Sequence, residues 1–279
     1  MFSVIIPVYN HVEFLRQAVC SALRAPLVTE VLLLDDGSSD GSTALADRLT
    51  RGNGPRVRNL TPPAGGNLGA HHRLNTLAEA AACEWIAVLN SDDVFVNGRF
   101  EAIRNTPGFD DSDFVFGNLL FINETGTLTG SKFGPFSPGV PFPPALDAAQ
   151  MIRQGSFLEL LAHQNYLGTT SNMVFRKSLF SRVGRFAGFR YVHDWDFALR
   201  AMILGQPLYV QRFLTAYRIH SHNTIAVDAA AVDKEAAQLF ASFLKDFPDA
   251  LSRDGFRLGL QFNVNGVRPP APAVSVRVT

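Results

Sequence analysis

The sequence predicts an α/β fold with a mostly parallel central sheet flanked by helices. Short apolar runs and stretches of helical spacing alternate four times in the first ninety-odd residues, the pattern of a parallel sheet with crossover helices. The runs at 31–34 and 85–89 are continuously apolar and that at 2–6 is interrupted only by Ser3, close to what strands buried on both faces show. Each ends in polar residues: Pro7-Val8-Tyr9-Asn10, Asp35 to Ser42, and Asn90-Ser91-Asp92-Asp93. Ligands of such sheets bind outside the carboxyl ends of the strands.

Taken in order, the first strand is ended by Pro7. Residues 13–23 then place Phe14, Leu15, Ala18, Val19 and Ala22 on one side of a helix. After the second strand, Ser42 or Asp40 is placed to cap a helix over 43–49. Residues 57–60 suggest a third, shorter strand. The Pro- and Gly-rich stretch 62–69 is a loop, and a helix over 70–82 leads into strand 85–89. The second half reads as strands at 114–118 and 119–123 and a helix over 148–161, broken near Gly155. A strand at 171–175, a short helix at 178–183 and a stronger helix at 194–204 follow. One or two strands lie within 207–217, and an amphipathic helix spans 233–247. The stretch 131–144, rich in Pro, Gly and Phe, is too apolar for a linker and is expected to pack as a loop. From Arg268 the chain reads as a tail.

Composition narrows the function. The 279 residues are 47% hydrophobic and carry 25 basic and 25 acidic side chains. Zero net charge and the lack of a basic block argue against a nucleic-acid partner. Cys20 and Cys83 make no disulfide framework and fit a reducing compartment. The N-terminus enters a strand with no basic leader, so no signal peptide is expected. No apolar run has the length of a membrane span. A cytoplasmic protein is expected, with peripheral contact at the inner membrane face left open.

Two adjacent acids at the end of a buried strand need a partner or a metal, although Asn, Ser and Asp also form plain turns. Pro7-Val8-Tyr9-Asn10, Asp35-Asp36-Gly37-Ser38-Ser39-Asp40, Asn90-Ser91-Asp92-Asp93 and His193-Asp194-Trp195-Asp196 with Arg200 occur in that order. Together they resemble the family 2 glycosyltransferases over about residues 2–225. That resemblance implies the GT-A fold, with a smaller mixed acceptor-side lobe beside the parallel sheet. It divides the chain into a nucleotide-sugar-binding half at 1–115, an acceptor-binding and catalytic half at 116–225, and a C-terminal helix and tail at 226–279. The implied activity is inverting transfer of a sugar from a nucleoside-diphosphate sugar to an acceptor hydroxyl, in polysaccharide or glycoconjugate synthesis. UDP is the first expectation for the nucleotide, with dTDP or GDP as alternatives. The acceptor is a saccharide or lipid-linked saccharide.

The resemblance also distributes roles. Asp93 would hold a divalent cation, Mn²⁺ or Mg²⁺, and Asp92 would lie nearer the ribose. Such a cation acts as a Lewis acid on the departing diphosphate. Asp36 would accept from the imide of the base, in a pocket lined by Pro7, Val8 and Tyr9. Asp35 is equally a turn acid. Asn67 and Arg73 fall near the nucleotide, Arg73 meeting a phosphate or pointing to water. Asp194 would be the general base, at a helix start that favours negative charge; the plain alternative is a helix cap. Asp196 could pair with Arg200 four residues on. His220 would complete the metal shell or meet phosphate, and Arg218 could also meet phosphate. Tyr191 and Trp195 could stack on a sugar, or belong to the core. The loop 131–144 is expected to order over the donor.

Two other functions compete. A sugar-nucleotide nucleotidyltransferase would need a Gly-rich basic loop after the first strand, where Pro7-Val8-Tyr9-Asn10 stands. A non-catalytic nucleotide-sugar-binding module would have no need of Asp93 and Asp194 together. A dinucleotide oxidoreductase is excluded, because no Gly-x-Gly-x-x-Gly turn follows the first strand.

Overall fold

In the computed structural model, the described residues are 1–63, 66–132, 155–221, 223 and 229–250. The first half runs β1 (Phe2–Val8), α1 (Leu15–Leu23), β2 (Val28–Asp35), α2 (Ser42–Asn53), β3 (Val57–Asn59), α3 (Ala70–Ala80), β4 (Trp85–Val88), β5 (Val94–Phe95) and α4 (Arg99–Arg104). The second runs β6 (Phe114–Ile122), β7 (Leu128–Ser131), α5 (Phe157–His163), β8 (Val174–Arg176), α6 (Lys177–Val183), α7 (His193–Leu204), β9 (Pro207–Arg218) and α8 (Ala229–Asp246).

One sheet runs through both halves, in the order β3-β2-β1-β4-β8-β6-β9-β5, with β7 pairing outside this path on β6. The pairs β1–β2, β1–β4 and β2–β3 are parallel, as the buried runs predict. Beyond β4 the sheet is mixed: β8 is antiparallel to β4 and β6, while β9 runs parallel to β6. Side chains alternate across the pleat. Along β1, Ile5 enters one apolar layer with Leu32, Ile86 and Phe175, and Val4 and Ile6 enter the other with Val31, Leu33 and Ala87. The first layer is closed by α3, α5, α6, α7 and α8, and the second by α1, α2 and α4. Two covered faces explain why these strands are apolar without alternation.

Several elements differ from expectation. Residues 114–118 and 119–123 form one strand, β6, whose register against β9 shifts on both sides of Asn118. Gly117 permits that irregularity, because a Cβ there would come within 2.6 Å of the Leu214 side chain. The start of the expected strand 171–175 is instead a 3₁₀ turn at Thr170–Asn172. Residues 207–218 are a single strand. The short elements β5, α4 and β7 are too brief to show a period in sequence. Residues 133–144 of the expected loop, 148–154 of the expected helix, and the tail from Arg268 lie outside the described residues.

Candidate active site at the carboxyl edge of the sheet

The ends of β1 and β2 meet at Asp36, whose N–H donates to the Val8 carbonyl at 2.8 Å. Its carboxylate accepts from Leu68 N at 2.8 Å, Gly69 N at 2.9 Å and Arg73 Nε at 2.6 Å. The Arg73 guanidinium also donates to the Gly66 carbonyl at 2.7 Å. Arg73 is therefore neither a phosphate ligand nor a helix-face residue in water. It is buried and holds the loop before α3 against Asp36. Three donors occupy Asp36, and a carboxylate takes about four, so one acceptor position remains.

Asp35 serves its own turn. It accepts from Ser38 N and Oγ at 2.8 and 2.5 Å and from Thr43 Oγ1 at 2.9 Å. The turn reading accounts for its whole environment. Asp40 accepts from Ser42 N at 2.9 Å and so supports the start of α2 from one residue before its cap, Gly41. Val8 lies in the core, Pro7 is half-buried, and Tyr9 and Asn67 are exposed beside this edge.

Asp92 and Asp93 part company. Asp93 is fully buried, and its carboxylate accepts from Ser171 Oγ at 2.5 Å, Thr169 Oγ1 at 3.0 Å and Arg218 N at 2.9 Å. Burial, and then the charge of Asp92, push Asp93 well above the usual carboxylate range. A carboxyl enclosed by hydroxyls and backbone is a scaffold group, which revises its expected role as the cation's ligand. Asp92 instead meets two imidazoles. Its Oδ2 lies 3.0 Å from His220 Nε2 and 3.8 Å from His11 Nε2. Burial raises Asp92, but the His220 hydrogen bond and the charges of His11 and His220 outweigh it and leave the carboxyl below its ordinary range. The ligand-capable atoms of His11, Asp92 and His220 all lie within 4.8 Å of one another.

Sequence reasoning passes over His11. Its only signal was position, five residues beyond Ile6, the last apolar residue of the first predicted strand, at the edge where the acids emerge. Arg218 also differs from expectation. Its guanidinium donates to the carbonyls of Asp92, Asn123 and Glu124 and to Gln17 Oε1, and it covers the Phe14 ring at 4.7 Å. With its donors turned inward, it braces the 92 loop rather than meeting phosphate.

Asp194 is buried in the first turn of α7, whose cap position is held by Val192, so it is not a cap. Its Oδ2 accepts from Asn165 Nδ2 at 3.1 Å and its Oδ1 from Trp195 N at 2.7 Å. Lys132 lies in its field, and donates to the Asn165 carbonyl at 3.1 Å. Asp196 is paired with Arg200, one turn on. Trp195 donates from Nε1 to the Leu161 carbonyl at 2.7 Å and meets Phe240 edge-on at 5.3 Å. It belongs to the core rather than to a sugar platform, because its one polar atom is satisfied inside. Tyr191 is partly buried, with its N–H bound to Glu235 at 2.7 Å.

One short segment joins these groups. Asn165 contacts Asp194, and Thr169 and Ser171 contact Asp93. Tyr217, pushed upward mainly by burial, also feels Asp93, Asp92 and Asp194. The edge thus presents one carboxylate–imidazole cluster of a kind that suits a divalent cation. A second carboxylate, Asp194, held by an amide, acts with Asp92 on Tyr217. No helix among the described residues is long and apolar enough to cross a membrane.

Comparison with known proteins bears on the family and the fold. The sequence profile of glycosyl transferase family 2 matches residues 3–184. The succinoglycan biosynthesis protein ExoU of Rhizobium meliloti is 27% identical over 203 residues, 72% of this chain and 57% of that protein. An uncharacterized glycosyltransferase of Rickettsia felis is 31% identical over 147 residues, 50% of this chain and 23% of the relative. The chain thus spans a quarter to three fifths of these relatives' lengths. Among solved structures, the mannosyltransferase PcManGT from Pyrobaculum calidifontis, in complex with GDP-Man and Mn²⁺, superposes with a TM-score of 0.63 at 16% identity, over 94% of this chain and 68% of that one. S. aureus TarS 1–349 in complex with UDP-GlcNAc gives 0.60 at 15% identity, over 92% and 75%.

Proposed function

The chain belongs to glycosyl transferase family 2, and from that premise we propose that it transfers a sugar, with inversion, from a nucleoside-diphosphate sugar to an acceptor hydroxyl. The observation that carries the reading is the shared platform at 165–171, which contacts Asp194 at one end and the Asp93 scaffold beneath Asp92 at the other. The loop held by Asp36 forms the nucleotide side, where Asp36 keeps one acceptor position for the imide of a base. Asp92 and His220 would hold the divalent cation, which would offset the charge that develops on the departing diphosphate. Asp194 takes the acceptor proton as that oxygen bonds to the anomeric carbon, while the bond from that carbon to the diphosphate breaks. The diphosphate leaves with its electron pair, and inversion follows from this single displacement. Asn165 orients the Asp194 carboxylate, and the burial of Asp194 limits competition from water.

The relatives support the substrate classes. GDP-Man and UDP-GlcNAc are bound by the two solved neighbours, and Mn²⁺ by one of them. A place in polysaccharide or glycoconjugate synthesis, with a saccharide or lipid-linked saccharide acceptor, is supported by the succinoglycan relative. Residues 1–115 would carry the donor and 116–225 the acceptor and the base. The test is Asp194→Asn, assayed with a panel of UDP- and GDP-sugars in Mn²⁺. General-base loss lowers turnover by about 10²-fold or more, while donor binding by calorimetry stays close to wild type. Unchanged turnover would overturn the base assignment, and a product with retained anomeric configuration would overturn the inverting one.

A further inference from the structure

We propose that His11 is a third protein ligand of the cation, so that two imidazoles and one carboxylate hold the metal before any donor arrives. This rests on the reading above that a cation sits at Asp92 and His220. Three observations carry it. First, the ligand atoms of His11, Asp92 and His220 lie within 4.8 Å of one another. Atoms that share one ion at about 2.1 Å are separated by about 3 to 4 Å. The separations of 3.0 Å from His220 and 3.8 Å from His11 to the same Asp92 oxygen fall in that range.

Second, the His11 ring is aimed. Its Nδ1 lies 2.8 Å from Ser91 Oγ. With Ser91 accepting, the proton stays on Nδ1 and Nε2, 3.8 Å from Asp92 Oδ2, is the unprotonated ring nitrogen, the arrangement that ligating histidines adopt. This gives Ser91 a purpose: it orients the ligand that compensates for a missing acid. Third, the backbone of His11 is pinned from both sides. Its N–H donates to Ser42 Oγ at 3.0 Å, and its carbonyl accepts from Phe14 N at 3.1 Å and Leu15 N at 2.9 Å. The Phe14 ring lies against both imidazoles, at 6.0 Å from His11 and 5.2 Å from His220. The two imidazoles meet edge-on at 5.4 Å.

The consequence is metal choice. Two nitrogens and one oxygen favour Mn²⁺, Co²⁺ or Zn²⁺ over Mg²⁺, which prefers oxygen and water. The site should therefore load without nucleotide.

The experiment titrates Mn²⁺ alone into the full chain, following free Mn²⁺ by electron paramagnetic resonance. Electron spin-echo modulation counts the coupled nitrogens in protein carrying ¹⁵N-histidine. Wild type is expected to show two histidine nitrogens, and His11→Ala one, with Kd weakened about tenfold. Ser91→Ala, a milder change, should weaken the His11 coupling without removing it, and serves if His11→Ala fails to fold by circular dichroism. One nitrogen in the wild type would overturn the proposal. So would a His11→Ala protein with unchanged Kd, or wild-type loading that waits for a nucleoside diphosphate. Asp92→Asn separates the two levels. If it keeps full Mn²⁺ affinity, no cation sits at this edge and the underlying reading fails. If it loses Mn²⁺ while His11→Ala retains it, only the third ligand is lost.

Discussion

Replacing Arg73 by Met should unfasten the nucleotide side of the molecule. Arg73 and Asp36 lie 2.6 Å apart, with each side chain only 5% exposed. Removing the guanidinium leaves a buried carboxylate with two backbone N–H donors, from Leu68 and Gly69. Breaking a buried pair from one side costs about 3–5 kcal/mol. In a chain of this size that is a fall of about 5–9 °C in melting temperature. Asp36→Asn removes the charge as well, so the double variant should recover about 2 kcal/mol relative to the sum of the single losses. Urea denaturation of the four proteins measures this cycle. Amide exchange at Leu68 and Gly69 should accelerate in Arg73→Met, and binding of a nucleoside diphosphate should weaken with it. A loss under about 1 kcal/mol, the scale of an exposed pair, or strict additivity in the cycle, would refute the assignment of Arg73 as the brace of this loop.

Two more outcomes follow from the same geometry. Asp93→Asn, close to the protonated carboxyl in shape, should keep both the fold and Mn²⁺ binding. Asp93→Ala should cost about 3 kcal/mol by leaving three donors short of an acceptor. If Asp93→Asn lost Mn²⁺ as fully as Asp92→Asn, Asp93 would be a ligand after all. Lys132 tests pH dependence. Burial pushes it down to about 7, with Asp194 partly opposing. Between about 7 and 10 the unfolded chain holds a proton that folded Lys132 has released, so its contribution to stability rises with pH across that window. Lys132→Met should remove that rise, as read from denaturation at pH 6.5, 8 and 9.5. An identical rise in the variant would mean the proton belongs to another group.

Much of this was legible because burial on both faces of a parallel sheet writes itself as near-continuous apolar runs. Phe2, Val4, Ile5 and Ile6 are all fully buried, and the run alone says so. The strand ends were legible for the same reason: polar residues that break such runs mark the edge where ligands bind. What was not legible is the partner of each polar group, because those partners are distant in sequence. Arg73 lies 37 residues from Asp36, and Arg218 lies 126 from Asp92. An arginine near a phosphate edge looks the same in sequence whether it faces ligand or protein. His11 had no spacing rule to reveal it, since its neighbours Asp92 and His220 come from strands that only the fold brings together.

The paired acids carry the sharper lesson. Asn90 to Asp93 close a turn, with Asp93 N donating to the Asn90 carbonyl at 3.1 Å, and the pair of acids in it divides between protein and site; sequence does not say which goes where. At 92–93 the second acid is consumed, by Ser171, Thr169 and the backbone of Arg218, and the first is left among imidazoles. In α7 a two-residue spacing divides the acids in the same way. Asp196 turns to Arg200, while Asp194 is held by the Asn165 amide. At 35–36 both acids are occupied, one by its own turn and one by the 66–69 loop. On this edge an acid already surrounded by several protein donors shapes a pocket. An acid facing histidines, or one side-chain amide and one backbone N–H, is left with acceptor capacity for a ligand. By that measure Asp92 and Asp194 are the two carboxylates that remain for chemistry, and exchanging Asp92 for Asn should cost more activity than the same exchange at Asp93, Asp35 or Asp196.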